Sequence, residues 1–241
     1  MLRVITMTSY RRPAYTREVL SALARCDGIA GWVLLPNVEP GNDEVIQEFR
    51  NWSACESRLV VNKTRLGLNR NTHAAVLRAH ILEADVVVHL EDDTVPSIDA
   101  LSYFEWAVKD VLMPNIKSPD GHQILLASGY NKPASEPASD TSRTCRTRPI
   151  WTPWGWAVDR SRLGWMIMKW CFRNPKCFTC QFKSGYRRTR REIFPSLSRI
   201  QNIGYESGEN NRSPAWYRAH HRTPWVAGDH ESGEWKFPKA T

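Results

Sequence analysis

The stretch DVVVHLEDDTVPSIDA, residues 85–100, joins an apolar run directly to three consecutive carboxylates. The run from Asp85 to Leu90 is rich in β-branched residues and predicts a buried strand, and the residues from Ser97 to Leu112 predict a helix. Three adjacent acids repel one another, and Mg²⁺ or Mn²⁺ would offset that repulsion because both ions prefer carboxylate oxygens. A solvent-facing turn, or acids that complement the dipole of the next helix, is the alternative. Since that alternative does not explain acids at the end of a buried strand, we predict a divalent metal site at residues 91–93.

Outward from this stretch, short apolar runs alternate with amphipathic segments. The predicted strands are residues 3–7, 31–35, 57–61 and 85–90, and the predicted helices are residues 14–24, 43–52, 71–81, 97–112 and 160–172. Strands separated by helices of this length form right-handed crossovers and a mainly parallel sheet. We therefore predict an α/β fold, a single Rossmann-like domain whose sheet is flanked by helices. Ligand sites in such sheets lie at the carboxyl ends of the strands, so the loops there carry the predicted site.

The chain divides in composition and charge. Residues 131–148 are rich in Pro, Ser, Thr and Ala and predict a long loop between residues 1–130 and residues 149–241, which we expect to be two halves of one domain over 1–241. Residues 143–222 contain 17 basic and 4 acidic side chains, a formal charge of +13, whereas residues 1–142 have a formal charge of −4. Clustering on this scale attracts polyanions. A solvated basic surface is the alternative.

The cysteines and the chain start predict the compartment. No apolar run approaches membrane-spanning length and residues 1–8 do not resemble a secretory signal, so we expect a cytoplasmic protein without a membrane span. The C-x-x-C of Cys177 and Cys180, with Cys171 upstream, has the spacing of half a zinc site, for which Cys145 or a histidine would supply a further ligand. A structural Zn²⁺ is therefore a secondary prediction. Free thiols in a compact segment are the alternative.

Five segments, one of which overlaps the opening stretch, follow one another in a recognisable order. They are VITMTSYRRPAYTREVLSAL (residues 4–23), RLGLNRNTHAAVLRA (65–79), LEDDTVPSIDAL (90–101), PWGWAVDRSRL (153–163) and FPSLSRIQNIGYESG (194–208). Together they resemble GT-A glycosyltransferases, nearest to the family-two type and to the N-acetylglucosaminyltransferase I group. The resemblance covers most of the chain and implies metal-dependent, inverting transfer of a sugar from a nucleoside diphosphate sugar to a hydroxyl.

The same resemblance implies roles for individual residues. Asp93 would contact the metal directly, and Glu91 and Asp92 would orient the ribose and bound water. The remaining nucleotide-sugar contacts would be Thr8, Tyr10, Arg11, Glu39, Arg65, Asn69 and Arg70. Plainer roles exist for three of them: Arg11 as a surface charge before a helix, Glu39 as a loop residue, and Asn69 as a helix cap.

The catalytic base departs from the family pattern. Related enzymes have an acid between the Gly-Trp element and the proline-Ser-Arg segment, but no acid lies between Arg160 and Arg191 here. The base is therefore left open between Asp159 and Glu206. Asp159 could equally cap a helix. The segment from Ile203 to His221 resembles the loop that closes over the donor and is predicted to act as a lid.

The C-terminal half, by resemblance, binds the acceptor. The predicted contacts are Trp154, Trp156, Lys183, Arg187, Arg188, Arg190 and Arg191. Tryptophan is commonly a core residue, but aromatic rings interleaved with basic residues also suit base stacking and phosphate contact. We predict a polyanionic acceptor such as a hydroxymethylated DNA base, as in compact viral enzymes acting in the host cytoplasm, presented outside the helix. The alternatives are a glycan, lipid or protein acceptor, and a non-enzymatic zinc-containing nucleic-acid-binding protein.

Overall fold

The computed structural model describes residues 1–118, 121–129, 144–148, 155–170, 200–206 and 234–236, the last two ranges and 144–148 by their backbone. The strands are β1 (Arg3–Ser9), β2 (Val33–Val38), β3 (Glu56–Ser57), β4 (Val60–Val61), β5 (Val86–Glu91), β6 (Gln123–Ser128), β7 (Thr144–Arg148), β8 (Trp156–Asp159), β9 (Ile200–Glu206) and β10 (Glu234–Lys236). The helices are α1 (Pro13–Leu23), α2 (Asp43–Arg50), α3 (Leu68–Ile81), α4 (Ala100–Trp106) and α5 (Arg160–Lys169). A short 3-10 helix covers Ile29–Gly31. Among the described helices, none combines the length and the apolar character needed to cross a bilayer.

The described strands form one sheet in the order β10-β7-β9-β6-β8-β5-β1-β2-β3, with β4 also paired to β2. Strands β1 to β5 pair in parallel, as do β6 and β9. Strand β8 runs antiparallel between β5 and β6, and β7 and β10 are antiparallel as well. The predicted class, an α/β fold with a mainly parallel sheet flanked by helices, is confirmed. The antiparallel additions were not predicted.

Alternating strand residues build a core on each face of the sheet, as the two-residue period of a strand requires. On one face, Ile5, Leu34 and Val88 pack with residues of α1, α2 and α4. On the other face, Val4, Leu35 and Val87 pack with residues of α3 and α5. The helices therefore cover both faces, which leaves the strand ends as the place for a ligand.

Three segments differ from the sequence prediction. The strand predicted over 57–61 is interrupted, with β3 and β4 each two residues long. The last five residues of the predicted loop 131–148 form β7 and pair with β9 and β10. The helix predicted over 97–112 begins at Ala100 and continues from Ala107 as a π-helix, in which the N–H of Met113 donates to the carbonyl of Val108 at 2.8 Å.

Candidate functional site

The loops that carry the predicted site meet at one edge of the sheet. Thr8 of β1 is level with Asn37 of β2 on one side and with Glu91 of β5 on the other. All three strands are parallel, so their carboxyl ends and the loops that follow lie side by side. The segments brought together are residues 9–12, 39–42, 62–67 and 91–94.

Asp92 lies at the centre of the acidic turn and is buried, with 4% of its surface exposed. Its Oδ2 accepts hydrogen bonds from the hydroxyl of Ser9 at 2.9 Å and from the backbone N–H of Tyr10 at 3.3 Å. Ser9 is held in turn by the hydroxyl of Thr16 on α1 at 2.8 Å. The buried carboxylate therefore fixes the loop between β1 and α1 against the acidic turn.

Arg12 supplies the counter-charge of this turn. Its two terminal nitrogens pair with Oδ1 of Asp92 and, at 2.6 Å, with Oδ2 of Asp93. Burial alone would lower the pKa of Arg12, but the charges of Asp92 and Asp93 outweigh that effect and raise the pKa above its ordinary value. Sequence reasoning assigned no role to Arg12. Its only signal was its position, in the first loop and next to Arg11.

The donor set of the turn fits a divalent cation shared with a ligand. Oδ1 of Asp93 is buried and makes no hydrogen bond to any described group, so one carboxylate oxygen remains available. Within the described ranges, no three His, Cys, Asp or Glu side chains are grouped so as to hold a metal ion. Mg²⁺ and similar ions are commonly bound by one or two carboxylates together with phosphate oxygens and water. The turn therefore suits a metal–diphosphate pair rather than a cage made by protein alone.

Tyr10, Arg11 and Arg65, three of the predicted nucleotide contacts, lie together beside the acidic turn. The guanidinium carbon of Arg11 is 4.4 Å from the centre of the Tyr10 ring, and that of Arg65 is 4.8 Å from it. Both arginines are exposed, and neither forms an ion pair with a carboxylate of the described residues. Two positive groups around one ring attract an anion, and their contacts with the ring hold both of them beside the acidic turn. Arg70 is exposed on the first turn of α3.

Glu39 is not open to a ligand, contrary to the predicted contact with base or ribose. Its carboxylate is 3% exposed and accepts from the backbone N–H groups of Leu66 and Gly67, the latter at 2.7 Å. The side-chain amide of Asn62 donates to the same carboxylate at 3.0 Å. Both oxygens of the carboxylate are thus hydrogen-bonded to the loop that contains Arg65.

Two further predicted nucleotide contacts, Thr8 and Asn69, are instead engaged by other parts of the protein. Thr8 is buried in β1 between β2 and β5, with 4% of its surface exposed. Asn69 does not cap α3, because the N-cap of that helix is Gly67. Its side-chain oxygen is also not free for a nucleotide. That oxygen instead accepts a hydrogen bond from the indole N–H of Trp170 at 2.5 Å.

Asp159 lies at the wrong end of the sheet for a base that serves the acidic turn. Strand β8 is antiparallel to β5, so Asp159 is level with Val86, the first residue of β5, whereas Glu91 is the last. Five residues of strand separate them by about 16 Å. The side chain caps α5 by accepting from the N–H of Arg162 at 2.9 Å, and it forms a buried ion pair with the same arginine. Its role is therefore structural.

Glu206, the other candidate base, has its backbone at the correct edge. His89 of β5 is level with Trp156, Trp156 with Ser128, and Ser128 with Gly204. Two residues further along the parallel strands, Glu206 is therefore level with Glu91. Three strand spacings separate them, about 14 Å.

Of the predicted acceptor contacts, Trp156 is the one within the described residues. It is 1% exposed and packs in the core, where its ring centre is 5.2 Å from that of His89, so it is not an acceptor contact. Trp154, Lys183, Arg187, Arg188, Arg190 and Arg191 lie outside the described residues, as do Cys171, Cys177, Cys180 and most of the predicted lid. Cys26 and Cys55, within the described part, are free thiols.

No protein-family model matches the sequence, and no curated protein matches it. A solved structure of CMP:2-keto-3-deoxy-manno-octonic acid synthetase with CTP is similar, with a TM-score of 0.50 and 14% identity over 89% of this chain and 95% of that chain. The mannosyltransferase PcManGT from Pyrobaculum calidifontis with GDP-Man and Mn²⁺ has a TM-score of 0.48 and 18% identity, over 68% of this chain and 46% of its own. S. aureus TarS 1-349 with UDP-GlcNAc has a TM-score of 0.43 and 14% identity, over 65% of this chain and 45% of its own. This chain spans less than half of the last two, and the likeness to the synthetase shows a shared fold.

Proposed function

We propose that this protein transfers a sugar from a nucleoside diphosphate sugar to a hydroxyl, with a divalent metal at the acidic turn. The observation that carries the proposal is the meeting, at one sheet edge, of the available Asp93 oxygen with the cluster of Tyr10, Arg11 and Arg65. The first suits a metal ion, and the second suits the phosphates of a nucleotide. A nucleotide ligand also agrees with the CTP bound by the synthetase of the same fold.

The charge of each residue determines its proposed role. Asp93, with Glu91 beside it, would hold Mn²⁺ or Mg²⁺, and when bound the metal would neutralise the departing diphosphate. Arg11 and Arg65 would contact phosphate oxygens, since guanidinium groups match their geometry and charge. Tyr10 would hold both guanidinium groups beside the phosphates through their contacts with its ring. Such electrostatic stabilisation of a leaving group is commonly the largest contribution to catalysis.

The reaction breaks the bond between the anomeric carbon and the diphosphate oxygen and forms one to the acceptor oxygen. In the inverting reaction that the sequence resemblance implies, both changes belong to a single displacement. The acceptor proton must pass to a base as the new bond forms. Glu206 is the base candidate that we retain, because its backbone is at the edge of the acidic turn.

For the acceptor we propose a polyanion, with a hydroxymethylated base in DNA as the specific candidate. The support is the formal charge of +13 in residues 143–222, within the half that resembles an acceptor domain. A glycan, lipid or protein hydroxyl is the competing acceptor.

The test is a panel of nucleoside diphosphate sugars with Mn²⁺, in which release of the nucleoside diphosphate is measured. Wild type should release it, chelator should stop the release, and Asp93→Asn should abolish it without loss of fold. Asp110→Asn, an exposed acid on the π-helix, is the matched control and should behave as wild type. Full turnover in chelator would overturn the metal assignment, and no turnover with any donor would overturn the transferase.

The acceptor is tested separately, by mass spectrometry of DNA with and without hydroxymethylated bases after incubation with the active donor. A mass increase of one sugar in the modified DNA alone supports the DNA candidate. Turnover with glycan or protein acceptors alone would exclude it. Stoichiometric zinc without any turnover would favour the zinc-containing nucleic-acid-binding protein.

A further inference from the structure

Glu39 carries a buried negative charge that no described cation neutralises. The exposed fraction of the residue is 3%, and its partners are the N–H groups of Leu66 and Gly67 and the amide of Asn62. Burying a carboxylate is unfavourable unless hydrogen bonds replace its hydration. Here these donors replace it, and all belong to residues 62–67. The carboxylate therefore stabilises one conformation of this loop.

Both ends of the loop are anchored by the same network. Asn62 donates to the side-chain oxygen of Asn71 at 2.8 Å, and the amide of Asn37 in β2 donates to the oxygen of Asn62 at 2.9 Å. At the other end, Gly67 has φ 78° and ψ 161°, a conformation open essentially to glycine, and its carbonyl accepts from the N–H of Asn71 at 2.9 Å.

Between these anchors, the residues Lys63, Thr64 and Arg65 are exposed, and they include the guanidinium group that lies 4.8 Å from the Tyr10 ring. An exposed arginine loses considerable side-chain entropy when it is held in one place. When the backbone of the loop is already fixed, the arginine side chain has fewer conformations to lose on ligand binding, so less conformational entropy is lost. Preorganisation of this kind increases affinity without adding a contact.

We propose that Glu39 is a positioning residue, which holds the loop 62–67 so that Arg65 lies beside Tyr10, and that it does not contact the nucleotide. The loop part of this inference concerns the protein alone, whereas the effect on ligand affinity rests on the proposed nucleotide site. The role differs from the base or ribose contact expected from the sequence. It makes the affinity for the nucleoside diphosphate depend on Glu39 through Arg65.

The charge and both oxygens of Glu39 are required. One oxygen accepts from Leu66 and Gly67, and the other accepts from Leu66 and Asn62. In Glu39→Gln, either orientation of the amide directs N–H groups at one of these sets of donors. The variant conserves the volume of the side chain but removes part of the clamp.

The first measurement is amide hydrogen exchange of Glu39→Gln without ligand. We expect faster exchange at residues 62–71, with unchanged protection in α1 and β5, and wild-type behaviour in the control Glu44→Gln, which alters an exposed acid on α2. Should Glu39→Gln not fold, Gly67→Ala replaces it, since a Cβ there meets no atom within 4 Å and perturbs only the backbone conformation. Unchanged exchange at 62–71 in the folded variant would overturn the clamp whatever the protein binds.

The second measurement is calorimetric binding of UDP and GDP in the presence of Mn²⁺. Glu39→Gln should weaken binding of whichever nucleotides wild type binds by about tenfold, a typical loss for a charge-assisted contact. In an Arg65→Ala background, the same substitution should have less than about a twofold effect, because residues that act through one another are not additive. If the losses of affinity in Glu39→Gln and Arg65→Ala were additive, Glu39 would contact the nucleotide directly. The same would follow if Glu39→Gln weakened the binding of UDP alone or of GDP alone. Failure of wild type to bind either nucleotide would count against the proposed function, and the exchange result would still decide on the clamp.

Discussion

Replacing Arg12 by Gln should destabilise the metal-free protein and strengthen its binding of Mn²⁺. Arg12 pairs with both Asp92 and Asp93, so it occupies the turn as an internal cation. Without it, the carboxylates of two consecutive residues lose their shared cation, and the remaining donors to Asp92 among the described residues are Ser9 and Tyr10. A metal ion on Asp93 would offset their repulsion and would no longer meet a competing positive charge.

The expected loss of stability in Arg12→Gln follows from the burial of the paired side chains. Exposed ion pairs contribute about 0.2–1 kcal/mol, whereas removing one partner of a buried pair costs about 3–5 kcal/mol. The Arg12 side chain is 45% exposed and that of Asp92 is 5% exposed, so the cost should be intermediate, about 2 kcal/mol. For a chain of this size that corresponds to a decrease in Tm of about 4–8 °C. A divalent charge and a guanidinium about 5 Å apart repel each other by about 1.7 kcal/mol even in water, so removing the guanidinium should tighten Mn²⁺ binding by about fifteenfold.

The assay combines urea unfolding, with and without Mn²⁺, and titration of Mn²⁺ followed by electron paramagnetic resonance. Mn²⁺ should raise the free energy of unfolding of Arg12→Gln more than that of wild type. Arg17→Gln is the control, since Arg17 lies on α1, the helix that follows Arg12, and pairs at 2.6 Å with Glu48, away from the turn. If Arg12→Gln bound Mn²⁺ no more tightly than wild type, Arg12 would not compete with the metal and the reasoning would be refuted.

Three further substitutions test the corrected assignments. Trp156→Ala should lower the free energy of unfolding by about 3–5 kcal/mol in urea, as for a large core residue; unchanged stability with a raised KM for the acceptor would restore its predicted contact. Asp159→Asn should cost about 3 kcal/mol because Arg162 loses its buried partner, while kcat of the folded fraction stays unchanged; a folded variant without turnover would make Asp159 the base after all. His89 is buried and its pKa is lowered to about 3, so below about pH 6.5 the unfolded chain takes up a proton that the folded protein does not. Stability should therefore fall as the pH decreases from 7 to 5, by at most about 1.4 kcal/mol per pH unit from this group, and His89→Gln should show a smaller decrease.

The features that the sequence predicted are those that depend on local patterns. The strand 85–90 and the helix 14–24 differ from β5 and α1 by a residue at either end, because their periodicity is strong. Tyr10, Arg11 and Arg65 were predicted from the family resemblance, and their position side by side agrees with the meeting of the carboxyl ends of parallel strands. The alternation of strands and helices predicted only that the loops which carry them lie at the same edge of the sheet.

The missed features depend on contacts between distant residues. Glu39 is directed at Leu66 and Gly67, and Asn69 at Trp170, by a fold that no local pattern encodes. Asp159 was misassigned because the short strand β8 gives no signal of its direction, and an antiparallel strand moves the residue to the opposite edge. Arg11 and Arg12 are neighbours of identical type, so only the geometry of the turn decides which reaches the acids.

Strand β8 also has a consequence for the order in which the sheet is completed. It occupies the position between β5 and β6, and its pairing of Asp159 with Val86 closes a loop of 73 residues. Until residues 156–159 leave the ribosome, the outer edge of β5 has no partner strand, although β1, β2 and α1 are already available. An open edge of valines is a template for pairing with another chain. We therefore expect newly made N-terminal halves to be prone to pairing with one another through β5 until residues 156–159 cover this edge.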